Sequence, residues 1–220
     1  MKKLLHVGCG FKRKQQTTPA FNSSEWNEIR LDIDPKVEPD HIGSMVDMSA
    51  IQDGSVDAIF SSHNIEHLYP FEVPIALKEF QRVLSRDGFL VLTCPDLQSV
   101  CKLIAEDKLT DTAYMSPAGP IAPLDILFGF RPSLAKGDLY MAHRCGFTRK
   151  VLHATLKASG FGSVVSFARP QKPFFDLWAL ATKNETDPEA IRSLAREHFP
   201  SPRPKINTNT TSPSTNRFDG

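Results

Sequence analysis

The chain has 220 residues, of which 40% are apolar and 23% are charged, a composition that is ordinary for a soluble globular domain. Its 26 Lys and Arg residues against 25 Asp and Glu residues give a formal net charge of +1. This balance excludes bulk electrostatic attraction to nucleic acid or to an anionic membrane as the main mode of binding. No apolar run approaches the roughly 20 residues of a membrane span, and the one after Lys2-Lys3 is too short for the core of an export signal.

Short apolar runs alternate with polar segments in the first hundred residues. The runs that predict strands cover residues 3–8, 28–33, 41–47, 56–62 and 88–94. Nearly continuous apolar strands of this length are typical of a parallel sheet that is buried on both faces. Helical spacing of apolar residues predicts a helix over 72–85, and Asp96 is a suitable cap for another over 97–107. The alternation predicts a doubly wound α/β fold.

The second half of the chain begins with a long irregular connection, residues 108–142, rich in proline, glycine and aromatic residues. Such a connection predicts a lid or binding insertion, and a packed surface insertion is the alternative. A helix over 148–159 follows, then strands over 164–169 and 174–182 that are expected to form a hairpin-like pair. Residues 1–183 are thus the expected domain, residues 184–199 a C-terminal helix, and the polar residues 200–220 a disordered tail.

The ends of the first two predicted strands carry the features of a nucleoside-binding edge. Gly8-Cys9-Gly10 follow the first strand, and a G-x-G turn brings backbone amides close to a ligand. Asp32 ends the second strand, where a carboxylate can accept hydrogen bonds from a ribose diol. Asp34 is the competing acid, but strand alternation favours Asp32. After the third run, Asp47 is placed to accept from an adenine amino group, with Met48 against the ring.

Several segments in chain order resemble those of class I S-adenosylmethionine-dependent methyltransferases of the small type 11 family. These segments are LLHVGCG, IRLDID, MVDM, VDAIFSSHNIEHL, EFQRVLSRDGFLVLTCPD and HRCGFTRKVLHATLKASGF. The resemblance covers roughly residues 2–182 and implies a mostly parallel seven-stranded sheet, S-adenosylmethionine as cofactor and methyl transfer.

The same resemblance implies roles for individual residues along the sheet edge. Carried onto this sequence, it puts Gly8, Cys9 and Gly10 under the methionine and ribose, Asp32 at the ribose hydroxyls, Asp47 and Met48 at the adenine, and Ser62 with His63 at the methionine end. The sequence departs from the family at Lys12, where a third glycine is common. Pro19 lies in the polar segment that follows, so the usual first helix is expected to be short or absent.

The candidates for catalysis are His67 and His63, which follow the fourth strand, where the acceptor should meet the methyl group. Imidazole can accept a proton near neutral pH. A structural role for His67, bonded to the backbone beside Glu66, is the alternative. The expected acceptor is a small molecule with an oxygen nucleophile, and the oligomeric state stays open. The candidate acceptor contacts are Tyr114, Phe128, Arg131, Tyr140, His143 and Arg144, where aromatic rings form an apolar pocket and arginines suit an anionic group.

Three other function classes share part of this pattern. The residues from His63 to His67 match the H-x-x-E-H motif of a metallohydrolase. A NAD-dependent oxidoreductase shares the glycine turn and the acid that ends the second strand, and a non-catalytic partner subunit would retain the fold. Pro70 interrupts the helix that the metal motif needs, so no metal is expected. The four cysteines form no C-x-x-C pair, which predicts reduced thiols and a cytoplasmic protein.

Overall fold

A computed structural model of the chain describes residues 1–200, so the predicted tail, residues 200–220, lies outside the described residues apart from Pro200. The strands are β1 (Lys2–Val7), β2 (Trp26–Asp32), β3 (His41–Ile42), β4 (Val56–Ser62), β5 (Leu84–Pro95), β6 (Tyr114–Ser116), β7 (Gly119–Ile121), β8 (Ser163–Arg169) and β9 (Asp176–Thr182). The α-helices are α1 (Val73–Val83), α2 (Leu97–Ala105), α3 (Pro123–Phe128), α4 (Arg131–Leu134), α5 (Arg149–Ala158) and α6 (Pro188–His198). Short 3₁₀ helices cover Lys14–Gln16, Pro19–Asn22, Pro35–Val37, Ile65–His67 and Leu139–Met141.

Within residues 1–200, seven of these strands form one sheet in the order β3-β2-β1-β4-β5-β9-β8. Strands β1 to β5 pair in parallel, and β9 runs antiparallel between β5 and β8. Leu5 of β1 is in register with Ile29 of β2 and Ile59 of β4. The predicted doubly wound, mostly parallel sheet is therefore confirmed, and β8 and β9 form the predicted hairpin-like pair.

Both faces of the sheet are covered, because successive residues of a strand point to opposite sides. Leu5 faces the larger core cluster, which includes Phe80 of α1 and Leu152 of α5. Leu4 faces a second cluster that contains Ile191 of α6. Burial on both faces explains why the strands read as continuous apolar runs.

The crossover from β1 to β2 contains 3₁₀ helices and no α-helix in residues 8–25, as the sequence predicted. Phe21 takes the place of a helix: its buried ring packs edge-on against Trp26, with centroids 5.0 Å apart, and lies 4.4 Å from the ring of His198. His198 hydrogen-bonds the Thr18 hydroxyl at 2.8 Å, and burial lowers the pKa of His198 to about 4. The neutral imidazole of His198 thus links α6 to the crossover between β1 and β2.

The main differences from the sequence prediction lie in three segments. The third strand is only His41–Ile42, because the chain turns at residues 43–48. Met48 then packs in the core, and its N–H donates to Glu79 of α1. β5 begins at Leu84, inside the predicted helix, because Leu84 pairs with Val56 of β4. Residues 108–142 are not irregular throughout: they contain the β6–β7 hairpin and two short helices. Their apolar residues pack with α2 in a small cluster of their own.

Among residues 1–200, no helix combines the length and the apolar composition that a membrane crossing requires. All four cysteines carry free thiols.

Candidate active site

A cavity of about 490 Å³ lies at the carboxyl ends of β1, β2 and β4, within the range of roughly 300–1,000 Å³ typical of small-ligand sites. Its sheet-edge wall includes Gly8, Gly10, Asp32, Met45, His63 and Asn64, and its other wall includes Asp138, Tyr140, Met141 and Arg144. The insertion 108–142 and the residues just after it therefore border the same space as the strand ends.

The glycine turn after β1 exposes backbone to this cavity. Gly8 has φ +61°, and a Cβ there would lie 2.3 Å from Cγ of Asn64, whose Nδ2 donates to the Val7 carbonyl at 2.9 Å. Gly10 also has a positive φ, but a Cβ there would meet no atom within 4 Å. Cys9 between them is buried outside the cavity lining, and burial raises the pKa of its thiol to about 11. Gly8 and Gly10, rather than Cys9, border the ligand space.

Asp32 is held at the end of β2 with part of its acceptor capacity unused. Its side chain accepts from the backbone N–H groups of Gly10, at 2.7 Å, and Asp34, at 3.0 Å. An ionised carboxylate has about four acceptor positions, so two remain for a ribose diol. Asp34 also lines the cavity, and its carboxylate accepts from the backbone N–H of Lys36 at 2.9 Å, which caps the 3₁₀ helix Pro35–Val37.

The structure does not bring Asp47 and Met48 to the cavity. Met48 is 1% exposed in the core, and its N–H donates to Glu79 of α1 at 2.8 Å. The Asp47 carboxylate closes its own turn by accepting from Ser49 N–H at 3.1 Å. The same loop lines the cavity with Gly43, Ser44 and Met45 instead.

The lining fits an adenosine-containing cofactor on three counts. Gly8 and Gly10 leave room for close approach to the backbone, Asp32 offers unused acceptor positions, and the side chains of Leu31, Val37 and Met45 form an apolar wall for a flat ring. Exposed Phe11 and Ile33 border the same space.

The segment after β4 carries the predicted catalytic residues, and both histidines line the cavity. His63 has φ +56°, its side chain is 47% exposed, and its Nδ1 lies 3.3 Å from Oε1 of Glu66. Loss of water around the ring opposes protonation, but Glu66 outweighs this effect and raises the pKa of His63. Ser62 is outside the lining, because its hydroxyl bonds that of Thr93 at 2.8 Å.

Glu66 lies behind His63 and is 1% exposed. Neither of its carboxylate oxygens has a hydrogen-bond partner among residues 1–200. Burial would raise the pKa of Glu66, but the imidazoles of His63, His67 and His143 outweigh it and lower the pKa. The three imidazoles therefore favour the ionised form of this buried carboxylate.

The end of the insertion is hydrogen-bonded to the segment that follows β4. Nδ1 of His67 bonds the Ala142 carbonyl at 3.1 Å, and the backbone N–H of Arg144 donates to the Glu66 carbonyl at 2.8 Å. His143 lies behind His67, with ring centroids 4.9 Å apart, and burial lowers its pKa. Of the predicted acceptor contacts, Tyr140 and Arg144 line the cavity, and His143 lies beside a lining residue.

The other three predicted acceptor contacts lie outside the cavity lining. Tyr114 stacks on Phe175 in the insertion's own cluster. Arg131 forms an ion pair with Asp125 at 2.7 Å, and Phe128 is exposed to solvent. These side chains therefore belong to the insertion's own packing and surface.

Sequence reasoning missed Asn64, Met45 and the role of Glu66. Asn64 carried a local signal, because it directly follows His63 at the end of β4. Its placement under Gly8 depends on the pairing of β1 with β4, which a single strand does not reveal. Glu66 was noted in the sequence, but its grouping with His143 depends on the path of the insertion.

Comparison with known proteins was made at the level of family, sequence and fold. Residues 5–92 match the family model of a methyltransferase domain. No curated protein matches this chain at a significant level. A solved SAM-dependent methyltransferase from Archaeoglobus fulgidus is similar, with a TM-score of 0.53 and 14% identity over 82% of this chain and 86% of that one. One from Methanosarcina mazei has a TM-score of 0.51 and 16% identity over 84% and 93%.

A third similar structure contains bound ligands. It is 1,6-didemethyltoxoflavin-N1-methyltransferase from Burkholderia thailandensis, with bound 1,6-didemethyltoxoflavin and S-adenosylhomocysteine. Its TM-score is 0.50, with 14% identity over 83% of this chain and 71% of that one. At such identities, these structures establish a shared fold.

Proposed function

We propose that the chain is a class I S-adenosylmethionine-dependent methyltransferase that transfers the cofactor's methyl group to an oxygen atom of a small-molecule acceptor. The methyltransferase-domain match over residues 5–92 and the shared fold support this proposal. The observation that carries the proposal is the continuity of the cavity. It joins Gly8, Gly10 and Asp32 at the sheet edge to His63 and Tyr140 on the opposite side.

The charge of the lining supports a small acceptor rather than a polyanion. Among the described residues that line the cavity, there are four acids and one arginine, Arg144. The acids are Asp32, Asp34, Glu72 and Asp138. Such a lining attracts a cationic sulfonium and repels nucleic acid or other polyphosphates. The volume of about 490 Å³ is also in the range of a site for small ligands.

When bound, S-adenosylmethionine supplies an electrophilic methyl group on a sulfonium sulfur. The chain's own contribution starts with position: Asp32 would hold the ribose and the glycine turn would border the amino-acid portion. Tyr140 and Met141 would cover the space and exclude water. Holding two reactants in a productive arrangement can lower a barrier by about 7–11 kcal/mol, so positioning supplies much of the catalysis.

His63 is the residue we assign as general base. It would take the proton of the acceptor hydroxyl, and Glu66 at 3.3 Å would stabilise the imidazolium that forms. His67 is the second candidate, but its Nδ1 is used by the Ala142 carbonyl, and one of its ring nitrogens lies in a cluster with Glu66 and His143. We expect His63→Gln to lower kcat by about 10²–10⁴-fold and to change the Kd for the cofactor only a few-fold.

The proposal is tested by calorimetry followed by a labelling screen. The purified chain is titrated with S-adenosylmethionine, S-adenosylhomocysteine and NAD, and is then incubated with methyl-labelled donor and fractionated cell metabolites. We expect binding of the first two ligands and transfer of label to a low-mass species. Label found only in protein or nucleic acid would contradict a small acceptor.

The same titrations separate the rival functions. Binding of NAD without S-adenosylmethionine would favour an oxidoreductase. Absence of S-adenosylmethionine binding at millimolar concentration would favour a non-catalytic partner subunit. Unchanged kcat in His63→Gln would refute the assignment of the base.

A further inference from the structure

Three side chains at the His67 end of the cavity bring electron-pair donors together. One nitrogen of His67, one nitrogen of His143 and one carboxylate oxygen of Glu66 lie within 4.8 Å of one another. Glu66 is buried, and neither of its oxygens has a hydrogen-bond partner within the described part of the chain. An ionised carboxylate out of water costs several kcal/mol unless a counter-charge or hydrogen bonds compensate it.

His63 compensates this carboxylate only in part. Its Nδ1 lies 3.3 Å from Oε1 of Glu66 without hydrogen-bonding geometry, and its side chain is half exposed. Within residues 1–200, Oε2 of Glu66 has no hydrogen-bond partner. The Glu66 carboxylate therefore keeps acceptor capacity that His63 does not use.

Each of the two clustered imidazoles bonds a backbone carbonyl through Nδ1, as histidines that bind metals commonly do. Nδ1 of His67 lies 3.1 Å from the Ala142 carbonyl, and Nδ1 of His143 lies 2.8 Å from the Ile126 carbonyl. A carbonyl oxygen only accepts, so each Nδ1 carries a hydrogen, and the neutral tautomer with that hydrogen has its lone pair on Nε2. Metal-binding histidines almost always donate their other N–H to a carbonyl, a carboxylate or water, which fixes the tautomer.

We propose that Glu66, His67 and His143 bind a divalent transition-metal ion, and that zinc is the ion this donor set suits best. Two imidazoles and one carboxylate are a known three-ligand set for zinc with a fourth position left open. Magnesium and calcium prefer oxygen ligands throughout. Ligands about 2.1 Å from zinc lie roughly 3.4 Å apart, so the three side chains would draw together on binding.

The position of the site connects it to the cavity, because His67 also lines that space. A coordination position not filled by protein would be open to water or to an acceptor oxygen from the cavity. A metal-bound hydroxyl loses its proton more readily than a free one. This last consequence rests on the proposed function, whereas the metal binding itself does not.

The test is zinc binding by the full chain after removal of metal with a chelator. We expect calorimetry with zinc chloride to show one equivalent bound and thermal denaturation to show a higher Tm with zinc. Glu66→Gln and His143→Ala should each weaken binding by about 100-fold or more, since even the partners of ligands change affinity by about 10–100-fold. His153→Ala removes an exposed histidine of α5 and should leave the affinity unchanged.

The outcomes separate a metal site from a structural role of Glu66. Absence of zinc binding to the wild type would overturn the proposal, and so would Glu66→Gln and His143→Ala variants that bind zinc as the wild type does. Glu66→Gln keeps the side-chain shape, and its Tm should no longer rise with zinc. If that variant does not fold, His143→Gln serves for the same comparison. S-adenosylmethionine binding measured in chelator is expected to persist, so loss of that binding would count against the proposed function and not against the metal site.

Discussion

Replacing Asp32 with alanine tests the assignment of the cofactor's ribose in one step. The carboxylate accepts from Gly10 N–H at 2.7 Å and Asp34 N–H at 3.0 Å, and its remaining acceptor positions border the cavity. A hydrogen bond to a charged group contributes about 1.5–3 kcal/mol. Since 1.4 kcal/mol is a factor of ten, loss of one such bond to ribose should raise the Kd for S-adenosylmethionine by about 10–150-fold.

Calorimetry with S-adenosylmethionine and S-adenosylhomocysteine measures this change, and Asp47→Ala is its matched control. Asp47 is also an aspartate in a turn after a strand, but it is exposed and outside the cavity lining. We therefore expect Asp47→Ala to leave the Kd unchanged. Asp32→Asn keeps the shape and one acceptor oxygen, so it should fall between the alanine variant and the wild type.

Two results would refute this reasoning. Unchanged affinity in Asp32→Ala would remove Asp32 from the ribose, and an equal loss in Asp47→Ala would return the adenine to the position that the sequence predicted. Thermal denaturation of each variant separates these results from a disordered turn, because Asp32 also fixes the backbone of Gly10 and Asp34.

Three further predictions concern folding. Gly8→Ala should lower the Tm more than Gly160→Ala, because both glycines have positive φ but only at Gly8 would the new Cβ meet Asn64. Adding Asn64→Ala to Gly8→Ala should recover part of the lost Tm. Equal losses of Tm at the two glycines would contradict this prediction. The contribution of His198 to the free energy of unfolding should fall by about 3 kcal/mol between pH 7 and pH 4, because its pKa is about 4 in the folded chain and about 6.5 in the unfolded chain, so the unfolded state binds the proton first. Urea titrations of the wild type and of His198→Gln at both pH values measure this contribution. An equal fall in unfolding free energy for the two proteins between pH 7 and pH 4 would count against it. Deletion of residues 201–220 should leave the Tm unchanged, since the described core clusters lie within residues 4–199, and a large drop would show that the tail stabilises the fold.

The sheet could be predicted because each parallel strand leaves a signal in its own sequence. Residues 56–62 form an apolar run because both faces of β4 are buried, and the predicted bounds match those of β4. The third strand was predicted too long because residues 43–47 resemble a strand in composition. Their conformation is set by contacts with α1, which the local sequence does not contain.

The candidate site divides in the same way. Gly8, Gly10 and Asp32 lie at strand ends, so the order of strands alone brings them to one edge. The insertion obeys no such rule, because its helices and hairpin pack first against α2 and each other. Aromatic composition therefore pointed to Tyr114 and Phe128, whereas the cavity is bordered by residues near the end of the insertion, Tyr140 and Met141.

The H-x-x-E-H pattern shows how a motif can suggest suitable chemistry with the wrong pairing of residues. In the H-x-x-E-H motif, two histidines four apart can share a metal because residues i and i+4 lie on one face of an α-helix. Here His63 has positive φ and the chain forms a 3₁₀ helix over Ile65–His67, so the two rings are not stacked one turn apart. The described donor cluster contains His67 and Glu66, and its second imidazole comes from His143, directly after the insertion. Residues 63–67 therefore do not form the helix of a metallohydrolase motif. Metal binding by Glu66, His67 and His143 would require the insertion to be folded against the sheet edge.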